Sequence, residues 1–99
     1  MKLWEIAHSR TGDKGNISNI SLTAYDPAHF IMLKEKVTAE KVKQWFGAIV
    51  QGEVVRYEMP QLGALNFVLY EALDGGVTRS TALDKHGKCL SSFLLDIEI

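Results

Sequence analysis

The sequence predicts an α+β fold, a two-layer sandwich in which one mixed β-sheet carries helices on a single face. Three observations lead there. The runs "KLWEIAH" and "NISNISLTAY" alternate apolar and polar residues with the period of a strand. Val42, Trp45, Phe46, Ile49 and Val50 fall at i, i+3, i+4, i+7 and i+8, one continuous stripe on a helix. Strand-like and helix-like runs follow one another in the order β-β-α-α-β-α-β-β, so the helices return the chain to one sheet and cover one of its faces.

The first strand is "KLWEIAH", with Trp4, Ile6 and His8 on one face, and the second is "NISNISLTAY", with Ile20, Leu22 and Ala24 on its apolar side. The glycine-bearing stretch between them makes a wide-looped hairpin. Asp26-Pro27 opens a short helix reaching about Lys36, with an acceptor at the cap and a residue whose φ suits the first turn. Thr38 caps the next helix, Glu40 meets the positive end of its dipole, and Gly52 closes it. "EVVRYEM" is β-branched and aromatic and reads as a strand that Pro60 ends. The second and third strands, joined through helices, are expected to be parallel with a right-handed crossover. "LGALNFVLYEAL" places Leu62, Leu65, Leu69, Ala72 and Leu73 on one side of a further helix, stopped by Gly75-Gly76. The remainder reads as a hairpin turning at Asp84 to Lys88, with a helical turn from Lys88 to Leu95 as the alternative.

Bulk properties narrow the function classes. The 99 residues amount to one domain, 1–99, with a core large enough to stand without disulfides. A net charge of −1 with dispersed lysines argues against nucleic acid as a partner, which needs a basic excess. The single cysteine, Cys89, allows neither an internal disulfide nor a CxxC metal site, which favours a reducing compartment. With no signal-peptide pattern at the N-terminus and no apolar run near the ~20 residues of a membrane span, a cytoplasmic location is expected. His8, His29 and His86 lie in separate elements without HxxxH or HxH spacing, so neither a metal nor another cofactor is expected.

The candidate site is "SRTGDKGN". Glycines at Gly12 and Gly15 let backbone N–H groups converge on an anion, and Arg10 and Lys14 add positive charge. Two readings fit. In one, Asp13 staples a purely structural turn; in the other, Arg10, Thr11, Gly12, Asp13, Lys14, Gly15 and Asn16 form an anion-binding loop, with Asn16 and Asn19 holding it by side-chain bonds to backbone. Two bases beside the glycines exceed what a turn needs, which favours the second. His8 points toward the same loop as a semi-buried histidine or an acid/base group. Asn66 bonds backbone or reaches a ligand, and Arg56 and Glu58 form a surface ion pair by default; His8, Asn19, Arg56 and Asn66 are the candidates to surround the loop.

The motifs "RTGDKGNISNI", "RYEMPQLGALNF" and "GGVTRSTALDKHGK" resemble the small C-terminal ferredoxin-like domain of the acyclic terpene utilisation protein AtuA and its relatives. The likeness runs nearly end to end. Thr11, Ser18 and Met59 stand where that pattern has serine, alanine and leucine. Asp74 replaces a glycine, and Thr81-Ala82 replaces Leu-Arg, which removes an arginine available to relatives. The resemblance implies a ferredoxin-like fold and a context of acyclic terpenoid or branched short-chain acyl-CoA breakdown, and it adds Ser80 to the residues near the loop. Its full-length relatives carry a large N-terminal domain, so a separately encoded large partner is expected.

Two functions follow. The first is a non-catalytic accessory subunit that binds a larger partner and an anionic small molecule at the Arg10–Asn16 loop. The alternative is a catalytic domain acting on an acyl or acyl-CoA substrate, with His8 or Asp13 as acid/base. No nucleophile–base pair at recognisable spacing supports the alternative. A two-fold homodimer is also expected, because "SLTAY" and "SSFLL" read as edge strands without charge or proline.

Overall fold

The computed structural model describes residues 1–14, 17–72 and 90–99. Four strands form one sheet: β1 (Ala7–Lys14), β2 (Ile17–Ala24), β3 (Val54–Met59) and β4 (Ala64–Leu69). Between β2 and β3 lie α1 (Phe30–Lys36) and α2 (Ala39–Phe46), and α3 (Leu90–Leu94) follows later in the chain. The spatial order is β1-β2-β4-β3 and every neighbouring pair is antiparallel. The expected two-layer α+β arrangement holds, but the sheet is not mixed. β2 and β3 do run the same way, as a helical crossover requires, yet β4 is inserted between them and replaces the parallel pairing with two antiparallel ones.

That insertion corrects the largest error of the sequence reading. Residues 62–72 are not a helix; their centre is the interior strand β4, and Leu73 lies outside the described residues. Leu65, Phe67 and Leu69 are fully buried with period two, while Asn66 and Val68 between them are half-buried. An interior strand is apolar enough that its leucines also satisfy a helical spacing, so pattern alone does not separate the two. The hairpin decides. After β3, Pro60–Leu62 makes one 3-10 turn and Gly63, at φ 61°, reverses the chain into β4.

The local capping signals hold in the structure. The Asp26 carboxylate accepts from the Ala28 N–H at 2.9 Å, opening the 3-10 turn Pro27–His29 that leads into α1. The Thr38 hydroxyl accepts from the Lys41 N–H at 3.1 Å. Thr38→Ala is therefore expected to cost about 1 kcal/mol in urea unfolding, the usual loss for an N-cap, whereas Thr38→Ser should cost much less. The expected stripe on α2 does face the sheet: Val42, Phe46 and Val50 are buried and Trp45 and Ile49 partly so. The helix ends earlier than Gly52, at Gly47, where φ 56° breaks it before a 3-10 turn. Gly52 instead packs against the backbone of Tyr70.

The N-terminal run is also not a strand throughout. Leu3–Glu5 is a 3-10 turn, with the Glu5 carboxylate accepting from the Lys2 N–H at 2.7 Å. This buries Leu3 and leaves Trp4 exposed, so His8 does not share a face with Trp4 and Ile6 in one strand. Leu90–Leu94 adopts the helical alternative, while the expected turn at Asp84 to Lys88 and the Gly75-Gly76 stop lie outside the described residues. The supposed edges are not edges: "SLTAY" belongs mainly to the interior strand β2, and "SSFLL" mainly to α3. Among the described residues the edge strands are β1 and β3.

The core lies between the sheet and the helices. Ile20 and Leu22 of β2 pair with Phe67 and Leu65 of β4, and Leu33, Val42, Phe46 and Leu94 close over them. The described helices pack on this side. The opposite face of the sheet has no element of the described chain across it.

Candidate functional site

Strand alternation divides the candidate residues between the two faces of the sheet. β1 begins at Ala7, so His8, Arg10 and Gly12 point to the uncovered face while Ser9 and Thr11 point to the helices. Ser9 and Thr11 dock α3. The Ser9 hydroxyl donates to the Ser91 carbonyl at 2.9 Å, and the Thr11 hydroxyl accepts from the Ser91 N–H at 3.0 Å. Thr11 thus anchors a helix on the side away from Arg10.

Residues 10–14 are not a loop. They are the outer half of β1, paired residue for residue with β2 from Arg10↔Ser21 to Lys14↔Ile17. The ladder continues to the last described residue of β1. Gly12 lies opposite Asn19 and is not among the glycines at positive φ. Gly15, Asn16 and Ser80 lie outside the described residues.

Arg56 departs from the expected site too. It lies opposite Phe67 on the helix-covered face, and its Nη1 donates to the carbonyls of Lys34 at 2.7 Å and Val37 at 3.0 Å. It satisfies the free carbonyls at the end of α1, where positive charge is also favourable. Its Nη2 meets the Glu58 carboxylate at 3.2 Å, the ion pair expected from their spacing, and Lys34 approaches the same carboxylate at 3.9 Å. The sheet stands between this clamp and Arg10.

What the structure does bring together is a row on the uncovered face. Cross-strand register aligns Arg10 with Ser21, Ser21 with Asn66, and Asn66 with Tyr57, one residue from each strand. At a strand spacing of about 4.8 Å the row spans about 14 Å. Ser21 and Asn66 are half-buried at its centre, and Arg10 and Tyr57 are exposed at its ends. Among the described residues none of these four side chains has a hydrogen-bond partner, and no carboxylate lies within ion-pair distance of Arg10. On one side runs the row His8, Thr23, Ala64 and Met59, with the His8 ring against Tyr25 at 5.2 Å between centroids. On the other runs Gly12, Asn19, Val68 and Val55, where the Asn19 side chain makes no bond to backbone of the described residues.

His8, Arg10, Asn19 and Asn66, picked out from the sequence for separate reasons, therefore share one surface. Ser21 and Tyr57 were missed. Ser21 was accessible in principle, since the alternation of β2 sets it beside Asn19; Tyr57 was not, because its register runs through β4.

A concavity lies elsewhere. A cleft of about 310 Å³ between the starts of α2 and β3 is lined by Ala39, Glu40, Lys43, Glu53 and Val54. Its lysine is already engaged, the Lys43 ammonium donating to the carbonyls of Val50, at 2.6 Å, and of Gly52. None of the candidate residues lines it. Among the described residues no three His, Cys, Asp or Glu side chains gather as a metal site, and no helix is long and apolar enough to cross a membrane.

A family model described as the AtuA ferredoxin-like domain matches residues 1–99, the whole chain. Comparison with curated proteins and with solved structures returned no match.

Proposed function

The chain belongs to the AtuA ferredoxin-like domain family, and on that premise we propose that it is a non-catalytic accessory module in the breakdown of acyclic terpenoid or branched short-chain acyl-CoA compounds. In this reading it docks on a larger, separately encoded partner and holds an anionic small molecule at a site that includes Arg10. The observation that supports it is the division of the sheet: one face is closed by the helices, and the other presents an arginine without a counter-charge among the described residues beside unpaired hydroxyl and amide groups. A role without chemistry of its own fits the surroundings of His8, whose ring rests on Tyr25 rather than on an acid or nucleophile of the described residues. Self-association as a dimer belongs to the same proposal, through β1 and β3, the edge strands among the described residues, and light scattering at tens of micromolar should then give twice the 11.1 kDa chain mass.

The test is to incubate the purified protein with short branched acyl-CoA compounds and with the corresponding free acids. A rise in melting temperature with no product formed is the expected result, because a ligand that binds only the folded state stabilises it. Turnover by this chain alone would replace the accessory role with the catalytic one.

A further inference from the structure

We propose that the uncovered face of the sheet is a binding site for a small organic monocarboxylate with an apolar body, its carboxylate on Arg10 and its body lying along the row toward Tyr57. This deepens the anion-binding reading and rests on it, but it moves the ligand from the hairpin tip to the sheet. Charge complementarity is the first argument. Among the described side chains of β1, Arg10 and His8 are the ionisable groups on this face, and no acid of the described residues sits opposite either of them. An arginine with no carboxylate of its own offers a fork that fits a ligand's carboxylate bidentately.

The second argument is the gradient along the row. Next to Arg10 come the Ser21 hydroxyl and the Asn66 amide, both half-buried and without partners among the described residues, and then the ring and hydroxyl of Tyr57. A polar acceptor near the carboxylate would meet the first two. The flanks are apolar where the row ends: Val55 and Val68 are paired neighbours on one side, and Met59 and Ala64 on the other. A bare anion such as phosphate would use Arg10 and leave the rest idle, and a neutral hydrocarbon would leave Arg10 desolvated. A carboxylate with an apolar body uses both ends.

The probe is hexanoate, compared with hexanol and with inorganic phosphate, titrated into the full chain labelled with ¹⁵N. Hexanoate should perturb the amides of residues 8–12, 19–23, 55–59 and 64–68 together, and should bind more tightly than either control. Arg10→Met, which keeps the apolar stem, should weaken it about tenfold or more, as befits loss of a charge-assisted hydrogen bond. Tyr57→Phe should weaken it about two- to tenfold with the amide spectrum of the free protein otherwise preserved. Perturbations confined to residues 10–17, with Tyr57→Phe binding as the parent does, overturn this inference and leave an anion site at the hairpin. Absence of any shift with all three probes overturns both. Shifts on this face that follow protein concentration and not hexanoate would make it an interface between two copies of the chain, which also overturns the proposal.

Discussion

Phe67→Ala is expected to destabilise the protein by about 3–5 kcal/mol, the range for removing a large aromatic from a core. Phe67 is fully buried on the helix-covered face of β4, opposite Ile20 of β2 on one side and Arg56 of β3 on the other. Truncation opens a void beneath the helices at the point where both interior strands meet, and the flanking strands are hydrogen-bonded too firmly to collapse into it. Against a total of about 5–15 kcal/mol for a domain this removes a large share. The companion variant is Val68→Ala, one residue along and half-buried on the uncovered face. Urea unfolding of the pair should show a loss several times larger for Phe67. Equal losses would mean that the uncovered face is packed as tightly as the other and that the assignment of the two faces is wrong.

The second large effect is expected at Gly52. A Cβ there would lie 2.7 Å from the Tyr70 carbonyl oxygen and 2.9 Å from the Tyr70 carbonyl carbon and Cβ. The obstacle is mostly backbone, and that backbone is committed: Gly52 N–H donates to the same carbonyl at 3.0 Å, and Tyr70 N–H donates to Glu53 at 2.9 Å. Gly52→Ala should cost about 1–3 kcal/mol through this overpacking. Gly47 is the instructive contrast. It has open space around its Cβ position, and φ 56° alone penalises a side chain. Gly47→Ala and Gly47→Asn should therefore lose about the same stability, since φ 56° with ψ −127° lies outside the left-handed well that asparagine enters and suits glycine. At Gly52 the loss should grow from alanine to the larger asparagine, which meets the Tyr70 backbone. A thermal-melt series at the two positions that showed the same ranking at both would refute the assignment of steric contact to one and backbone conformation to the other.

The sequence alone settled what is decided within a few residues. Asp26 and Thr38 open their helical segments because each acceptor lies two or three residues from the N–H it satisfies. The burial of β2 and of the α2 stripe follows from periodicity over a single element, and the β3 strand with its stop at Pro60 from composition. The three motifs pointed to the family whose model covers the chain. Tertiary structure decided the rest. β4 is a strand because a hairpin delivers it into the gap between β2 and β3, where both of its edges find partners; its own residues suit either period. That placement turned the expected mixed sheet antiparallel, while pairing with β2 drew residues 10–14 into a strand. It also composed the row on the uncovered face. Arg10, Ser21, Asn66 and Tyr57 are neighbours through register alone, and register depends on which strands pair and where they start. A one-residue slip in β4 would carry Asn66 to the core side and break the row, so no local pattern in the sequence contains it.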